Sequence, residues 1–481
     1  MIDLHLPSAA HSLHVDHAAL LAVLRAAQRQ ARATQSSVLA SFTQASPLAD
    51  TLALFAAAET LECDTAFYWA HPRAQQAMAG IGAAATIEGE HIAGAASQWH
   101  HMLEHAQIDI APGSYGDSSE LAGPRCFGGF AFDPASPRSH RWDGFPNGLL
   151  ILPQLHISAI GKQCSLTLNA LVGADDDAER EALRLTALLD RLAAAMEQQR
   201  FATQPLQFTT RNLQPQSDWW QMIEAATAAI QRGAYRKVVL ARSVEAKATE
   251  PFVAAPTLRQ LREQYADAHI FALRRERRTF LGATPEQLAR VVDGRVETMA
   301  LAGSAPRGAS PAEDDALGEA LRRQTKTRNE HQVVGAMIRR ALEPLTRSLS
   351  APEEPQLFRL PNVQHLLTPI TGELLPGVTA LDVAAALHPT PAVAGDPRDV
   401  ALAEIRRIER FDRGWYAGPV GWVGADGSGE FAVALRSALI EGDRATLFAG
   451  CGIVAGSKPQ AEYDETCWKL QVMLRSLGGE D

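Results

Sequence analysis

Near its C-terminal end the chain passes from a glycine-broken apolar stretch, Gly450-Cys451-Gly452-Ile453-Val454, through Ser457-Lys458-Pro459 into a segment of helical spacing that carries Glu462, Glu465 and Lys469. No other part of the sequence restricts its own local fold as tightly. Proline suits the first turn of a helix, so Pro459 marks a start, and the glycine-rich turn upstream must lead into it. With about 100° of rotation per residue, Glu462, Glu465 and Lys469 then share one narrow stripe. Two carboxylates three residues apart offer oxygen ligands to a hard divalent cation, and a lysine one turn later can hold an anionic substrate beside it. Exposed amides in the Gly/Ser segment at the helix start favour an anion as well. The competing reading is a solvated helix face with i,i+4 support.

The rest of the chain allows a large enzyme. Of 481 residues, 46% are hydrophobic and 21% charged, enough to bury a sizeable core. Lys and Arg number 45 against 55 Asp and Glu, a formal net charge of −10, with no basic block. This argues against a nucleic-acid surface and for a small-molecule substrate, which needs a local basic pocket if it is anionic. Five cysteines are scattered without a C-x-x-C pair, as expected of a reduced cytoplasmic protein without a zinc site. No apolar run reaches membrane length, and Met1-Ile2-Asp3-Leu4-His5 does not open a secretion signal, so no membrane association is expected. No G-x-G-x-x-G fingerprint or P-loop occurs.

Residues 1–60 are rich in Ala and Leu at helical spacing, and residues 176–200 read as helix again. Between them, Cys126-Phe127-Gly128-Gly129-Phe130 and Gly148-Leu149-Leu150-Ile151-Leu152 read as strands. A polar stretch from Thr203 to Ser217 is the best linker candidate, dividing the chain into 1–205 and 206–481 without requiring independent domains. Beyond it the spacing predicts a helix over 219–231, a strand from Lys237 to Ala246, strands near 268–274 and 279–282, and a hairpin around Asp293-Gly294. Hairpins mixed with crossovers favour an α+β (mixed α/β) enzyme over a regular βαβ repeat.

Single residues in this half carry chemistry. Lys237 opens the apolar run Val238-Val239-Leu240-Ala241, where desolvation would favour the neutral amine and hence a base; the alternative is a strand-end lysine that snorkels to water. Glu286 follows a strand and Pro285; in a partly apolar pocket it would stay protonated and act as an acid, whereas a turn glutamate is ordinarily exposed. Glu330 falls on the apolar stripe of Val333, Val334, Met337, Ile338 and Leu342, and needs a cation, a proton or an arginine there. His365 lies in an apolar segment, where structural histidines outnumber catalytic ones. Arg436, placed on an apolar strand after Phe431-Ala432-Val433, suits a bidentate carboxylate or a structural ion pair.

Together these segments resemble the chorismate-utilising enzymes, the family of isochorismate, salicylate, anthranilate and aminodeoxychorismate synthases. The resemblance runs over about residues 210 to 477 and rests on motifs in family order: Lys237-Val238-Val239-Leu240, Leu301-Ala302-Gly303-Ser304, Glu330-His331, Gln364-His365-Leu366, His388-Pro389-Thr390-Pro391-Ala392, Arg413-Gly414-Trp415-Tyr416 and the terminal segment. Residues 1–205 look like the variable N-terminal portion of isochorismate synthases. The fold this implies is a single unit of packed β-sheets flanked by helices.

The resemblance further implies an isochorismate synthase. Lys237 stands where amine-transferring members carry glutamine, which favours water as the nucleophile; Ala392 stands where pyruvate-eliminating members typically carry threonine; and no lysine replaces Ala302. The expected reaction is the Mg²⁺-dependent, reversible conversion of chorismate to isochorismate, feeding siderophore or menaquinone biosynthesis. A bifunctional salicylate synthase is the alternative. Lys237 is then the base, Glu286 the acid, and Glu330 and Glu465, with Glu462, the metal ligands. Gly303, Ser304, His365, Ala392, Tyr416, Arg436, Gly450, Gly452 and Lys469 bind substrate. A departure is Thr327, where many relatives carry an acidic residue, so a fourth carboxylate ligand is not expected. No glutamine amidotransferase partner is implied, and the family default is a monomer.

Overall fold

The computed structural model describes residues 13–113, 122–199, 206–359 and 363–478. Among these, the strands assemble into a thirteen-stranded and a ten-stranded sheet. Neither sheet is built from one half of the sequence. In the larger, strand Thr65–His71 pairs antiparallel with His269–Arg275; in the smaller, Arg125–Phe130 pairs antiparallel with Pro419–Gly424. This is the mixed α and β architecture expected.

Period-two alternation explains how two cores form. In Thr65–His71, Phe67 and Trp69 enter the core that holds Phe127, Phe271, Trp415 and Trp422. Ala66, Tyr68 and Ala70 point the other way, into a second core with helical residues Leu24, Phe55, Leu185 and Leu258. One strand thus feeds both faces of its sheet. Phe67 and Phe127, on different sheets, stack with ring centroids 4.1 Å apart. Burying each such side chain contributes roughly 1.5–3 kcal/mol, so the seam between the sheets is a major source of stability.

Two expectations need correction. Residues 1–60 are not uniformly helical: helix His17–Thr34 ends at Gln35 with φ of 55°, and strand Val38–Ala45 follows before helix Thr51–Thr60. Within that strand, Val38, Ala40 and Phe42 share one core while Leu39 faces the other. The periodicity is two, but alanines blur it. Likewise the candidate linker contains strand Phe208–Asn212, which pairs with the far end of Lys237–Ala248 at the sheet's edge. Its outward polar residues hide it from a hydrophobic pattern. No helix among the described residues is long and apolar enough to cross a membrane.

Candidate active site

A cavity of about 290 Å³ opens where the ends of both sheets meet the terminal helix Pro459–Ser476. It takes its walls from strand Lys237–Ala248, the turn after Arg278–Thr284, strand Arg295–Pro306, strand Val363–Leu374 and strand Arg444–Ile453. Every substrate-binding candidate lines it, together with Lys237, Glu286, Glu462 and Glu465. Glu330 lies on helix Thr325–Leu342, but its side chain falls outside the described residues.

Lys237 begins its strand, and its side chain passes over Gly452 on the neighbouring strand. A Cβ at Gly452 would lie 2.7 Å from the Lys237 Cε, so glycine makes room for the lysine. Gly450 is narrow for a related reason: a Cβ there would lie 2.8 Å from the Leu240 carbonyl oxygen and 3.3 Å from the Tyr416 hydroxyl. Tyr416 is itself buried, stacked on Phe448 with centroids 5.2 Å apart.

Glu286 occupies the short connection between strands Arg278–Thr284 and Gln287–Val292. Its backbone is tied at both ends: its amide donates to the Thr284 hydroxyl at 3.3 Å, and its carbonyl accepts from the Val433 amide at 2.9 Å. The carboxyl is consequently held inside, with the residue only 7% exposed. Burial pushes its pKa up to about 7, against the opposing field of Lys237, the nearby Thr390 hydroxyl and the charges of Lys469 and Arg436. A turn glutamate that is buried and near half-protonated at neutral pH can serve as an acid.

A bulge builds the next wall. Leu301 and Ala302 face Leu367 and Leu366, but Ser304 faces His365, so Gly303 is the extra residue, with φ of 84°. A side chain there would also collide with Thr327. The bulge turns Ser304 onto His365, with Oγ 2.9 Å from Nδ1. Burial, followed by Arg436 and Lys469, pulls the imidazole pKa down to about 3, so it is neutral, and its Nε2 is buried without a partner among the described residues.

Arg436 corrects the sequence reading in one respect. It lies not in a strand but in the turn between Gly429–Val433 and Ser437–Glu441, at φ of 48°, with its carbonyl accepting from the Ala283 amide at 3.1 Å. Its Nη1 is buried without a partner among the described residues. Opposite, the Lys469 ammonium donates to the Glu465 carboxylate at 2.6 Å and to the Gly450 carbonyl at 2.8 Å. Burial raises Glu465, but Lys469 and Arg436 more than offset it and hold the carboxyl low. Glu462, one turn earlier, is pushed up by burial and by Glu465. Two adjacent carboxylates, one paired and one destabilised as an anion, suit a hard divalent cation. Among the described residues, no group of three or more His, Cys, Asp or Glu is arranged to hold an ion.

Sequence reasoning gave no role to Arg413, which also lines the cavity. Its signal is a guanidinium embedded in the aromatic stretch Phe411-Asp412-Arg413-Gly414-Trp415-Tyr416.

Residues 25–478 match the model of a family described as chorismate binding enzyme. The chain belongs to the chorismate-binding enzymes. Within this family it is 35% identical over 466 residues to isochorismate synthase MenF of Bacillus subtilis, covering 94% of this chain and 96% of that one. It is 42% identical over 362 residues to the salicylate biosynthesis isochorismate synthase of Pseudomonas aeruginosa, covering 74% and 76%. Among solved chorismate-binding enzymes, the menaquinone-specific isochorismate synthase MenF of Escherichia coli superimposes with a TM-score of 0.76 at 28% identity, over 96% of this chain and all of the other.

Proposed function

We propose that this chain is an isochorismate synthase that interconverts chorismate and isochorismate, the product feeding siderophore or menaquinone biosynthesis. The observation that carries the reading is that a lysine and a buried glutamic acid, Lys237 and Glu286, line one cavity rich in cationic side chains, where burial raises the pKa of the carboxyl. Lys237 takes a proton from water, the oxygen bonds to carbon 2, the ring double bonds shift, and the carbon 4 hydroxyl departs as water with the proton of Glu286. One water enters and one leaves, so the net change is an isomerisation that can run either way, and the proton gained by Lys237 and lost by Glu286 is exchanged with solvent to reset the site. Arg436, Tyr416 and Lys469 hold the enolpyruvyl carboxylate beside Gly450 and Gly452, while Ser304, His365 and Ala392 bound the ring. Such fixed placement supplies much of the rate.

Glu465 and Glu462, with Glu330, would hold Mg²⁺. Bound there, the ion supplies positive charge for the ring carboxylate. Glu465→Gln is expected to raise the Mg²⁺ concentration for half-maximal turnover on the order of tenfold or more, since each carboxylate ligand contributes strongly to a hard cation site. Calorimetric Mg²⁺ titration of this variant checks it; an unchanged affinity removes Glu465 from the metal site. We further propose a cytoplasmic monomer, in which residues 1–205 and 206–481 form one structural unit, acting without an amidotransferase subunit.

The test is incubation of the purified chain with chorismate, with and without Mg²⁺, resolving isochorismate, salicylate and pyruvate. Isochorismate alone, and only with Mg²⁺, supports the reading. Salicylate with pyruvate replaces it by the bifunctional alternative, and no turnover removes it.

A further inference from the structure

Strand Lys237–Ala248 has a gap along one edge. On one side the strand beginning at Arg444 pairs with it continuously from Val238 to Lys247. On the other, the two-residue strand Gly395–Asp396 covers only Lys237 and Val238, and the edge strand Phe208–Asn212 begins only at Val244. The backbone groups between them are buried and must find partners. The Val239 amide donates to the Ala394 carbonyl at 2.8 Å, and the Ser243 carbonyl accepts from the Leu213 amide at 3.1 Å. Side chains meet three more, the Ser243 amide donating to Gln214 Oε1 at 3.3 Å. Arg413 Nη2 donates to the Val239 carbonyl at 2.7 Å, and the Ala241 amide donates to Glu409 Oε1 at 2.7 Å.

Arg413 and Glu409 are an ion pair with Nε to Oε2 at 2.7 Å, both nearly inaccessible, and the guanidinium lies 4.2 Å from the centroid of Phe132. Its remaining donor, Nη1, bonds the Val393 carbonyl at 3.2 Å, next to Ala392. Its own backbone carbonyl accepts from the Tyr416 amide at 3.0 Å. One residue therefore ties together three walls of the cavity: the strand of Lys237, the segment of Ala392, and Tyr416.

We propose that Arg413, set by Glu409, is a positioning residue that holds the base-bearing strand at a fixed distance from the substrate walls around Ala392 and Tyr416. This rests on the function proposed above. The planar guanidinium holds the carboxylate through two bonds and two carbonyls besides, four bonds in a fixed fork, whereas an ammonium has only three donors and no planar geometry. Because Val239 is two residues beyond Lys237, it shares a strand face with it, and displacement at Val239 is transmitted directly to the base.

The experiment compares wild type with Arg413→Lys and Glu409→Gln, the latter keeping an oxygen acceptor for the Ala241 amide. For each, kcat and KM for chorismate, the thermal midpoint and hydrogen exchange of the 237–243 backbone are measured. Arg413→Lys is expected to lower kcat on the order of 100-fold, the cost of about an ångström of misplacement, with KM changed less than about threefold. Exchange at 237–243 is expected to rise, and Glu409→Gln to show a smaller loss of kcat with the same pattern. A raised KM at unchanged kcat would mean that Arg413 binds substrate directly, overturning the proposal. A lowered midpoint with unchanged kcat would make the pair purely structural, also overturning it. If Arg413→Lys does not fold, Glu409→Gln decides by the same criteria. Exchange needs no turnover, so unchanged exchange sinks the positioning role whatever the reaction, whereas wild type inert toward chorismate sinks only the functional reading.

Discussion

Lys237→Gln is expected to lose water addition, with kcat falling by about 10²–10⁴-fold, the range that a positioned general base contributes. Chorismate affinity should stay within about threefold, because Arg436 and Lys469, the proposed carboxylate anchors that line the same cavity, are untouched. Geometry makes the substitution a clean one. The lysine side chain crosses Gly452 into the cavity, and a glutamine, somewhat shorter, enters the same channel without an amine to take a proton. Direct binding of chorismate to the variant by calorimetry, beside single-turnover kinetics, separates the two effects. Full turnover by Lys237→Gln would show that another group removes the proton; lost binding would make Lys237 a substrate anchor instead.

What could be seen in advance divides by the range of the interaction. The terminal turn and helix are set by glycine, proline and a 3.6-residue period, all local, so Glu462, Glu465 and Lys469 are correctly placed on one face from the sequence. Lys237 at a strand start is local too. The burial of Glu286 is not: an isolated Pro-Glu turn is a surface feature, and only the tie to Val433 on another strand and the packing of the segment that carries Thr390 draw it inside. The bulge at Gly303 depends on register with a strand some sixty residues later, and the reading of Arg436 as a strand residue fails because a left-handed turn does not disturb the apolar run around it. The pairing of 65–71 with 269–275 leaves no local trace at all. Motif order supplied what periodicity could not, because the resemblance joins residues that only tertiary structure brings together.

Glu286→Gln should move activity and stability in opposite directions. The native carboxyl is raised to about 7, above an ordinary value of about 4.3. Between these two limits the folded chain holds a proton that the unfolded chain has lost, so Glu286's contribution to stability falls as pH rises through this window and then stays constant. Above about pH 7 the buried carboxylate costs on the order of 3 kcal/mol, and below about pH 4 nothing. Glutamine keeps the shape and carries no charge, so denaturant melts should show the variant more stable than wild type at pH 8 and indistinguishable at pH 4. Activity runs the other way. As the proposed acid, Glu286 must be protonated, so wild-type kcat/KM should decline as pH rises through about 7, and Glu286→Gln should lose about 10²–10⁴-fold at pH 6, with the alkaline limb gone from what remains. If the variant keeps the same alkaline limb, that limb belongs to another group. If it gains no stability at pH 8, the carboxyl is not strained by burial, and burial no longer explains how Glu286 keeps its proton near neutral pH.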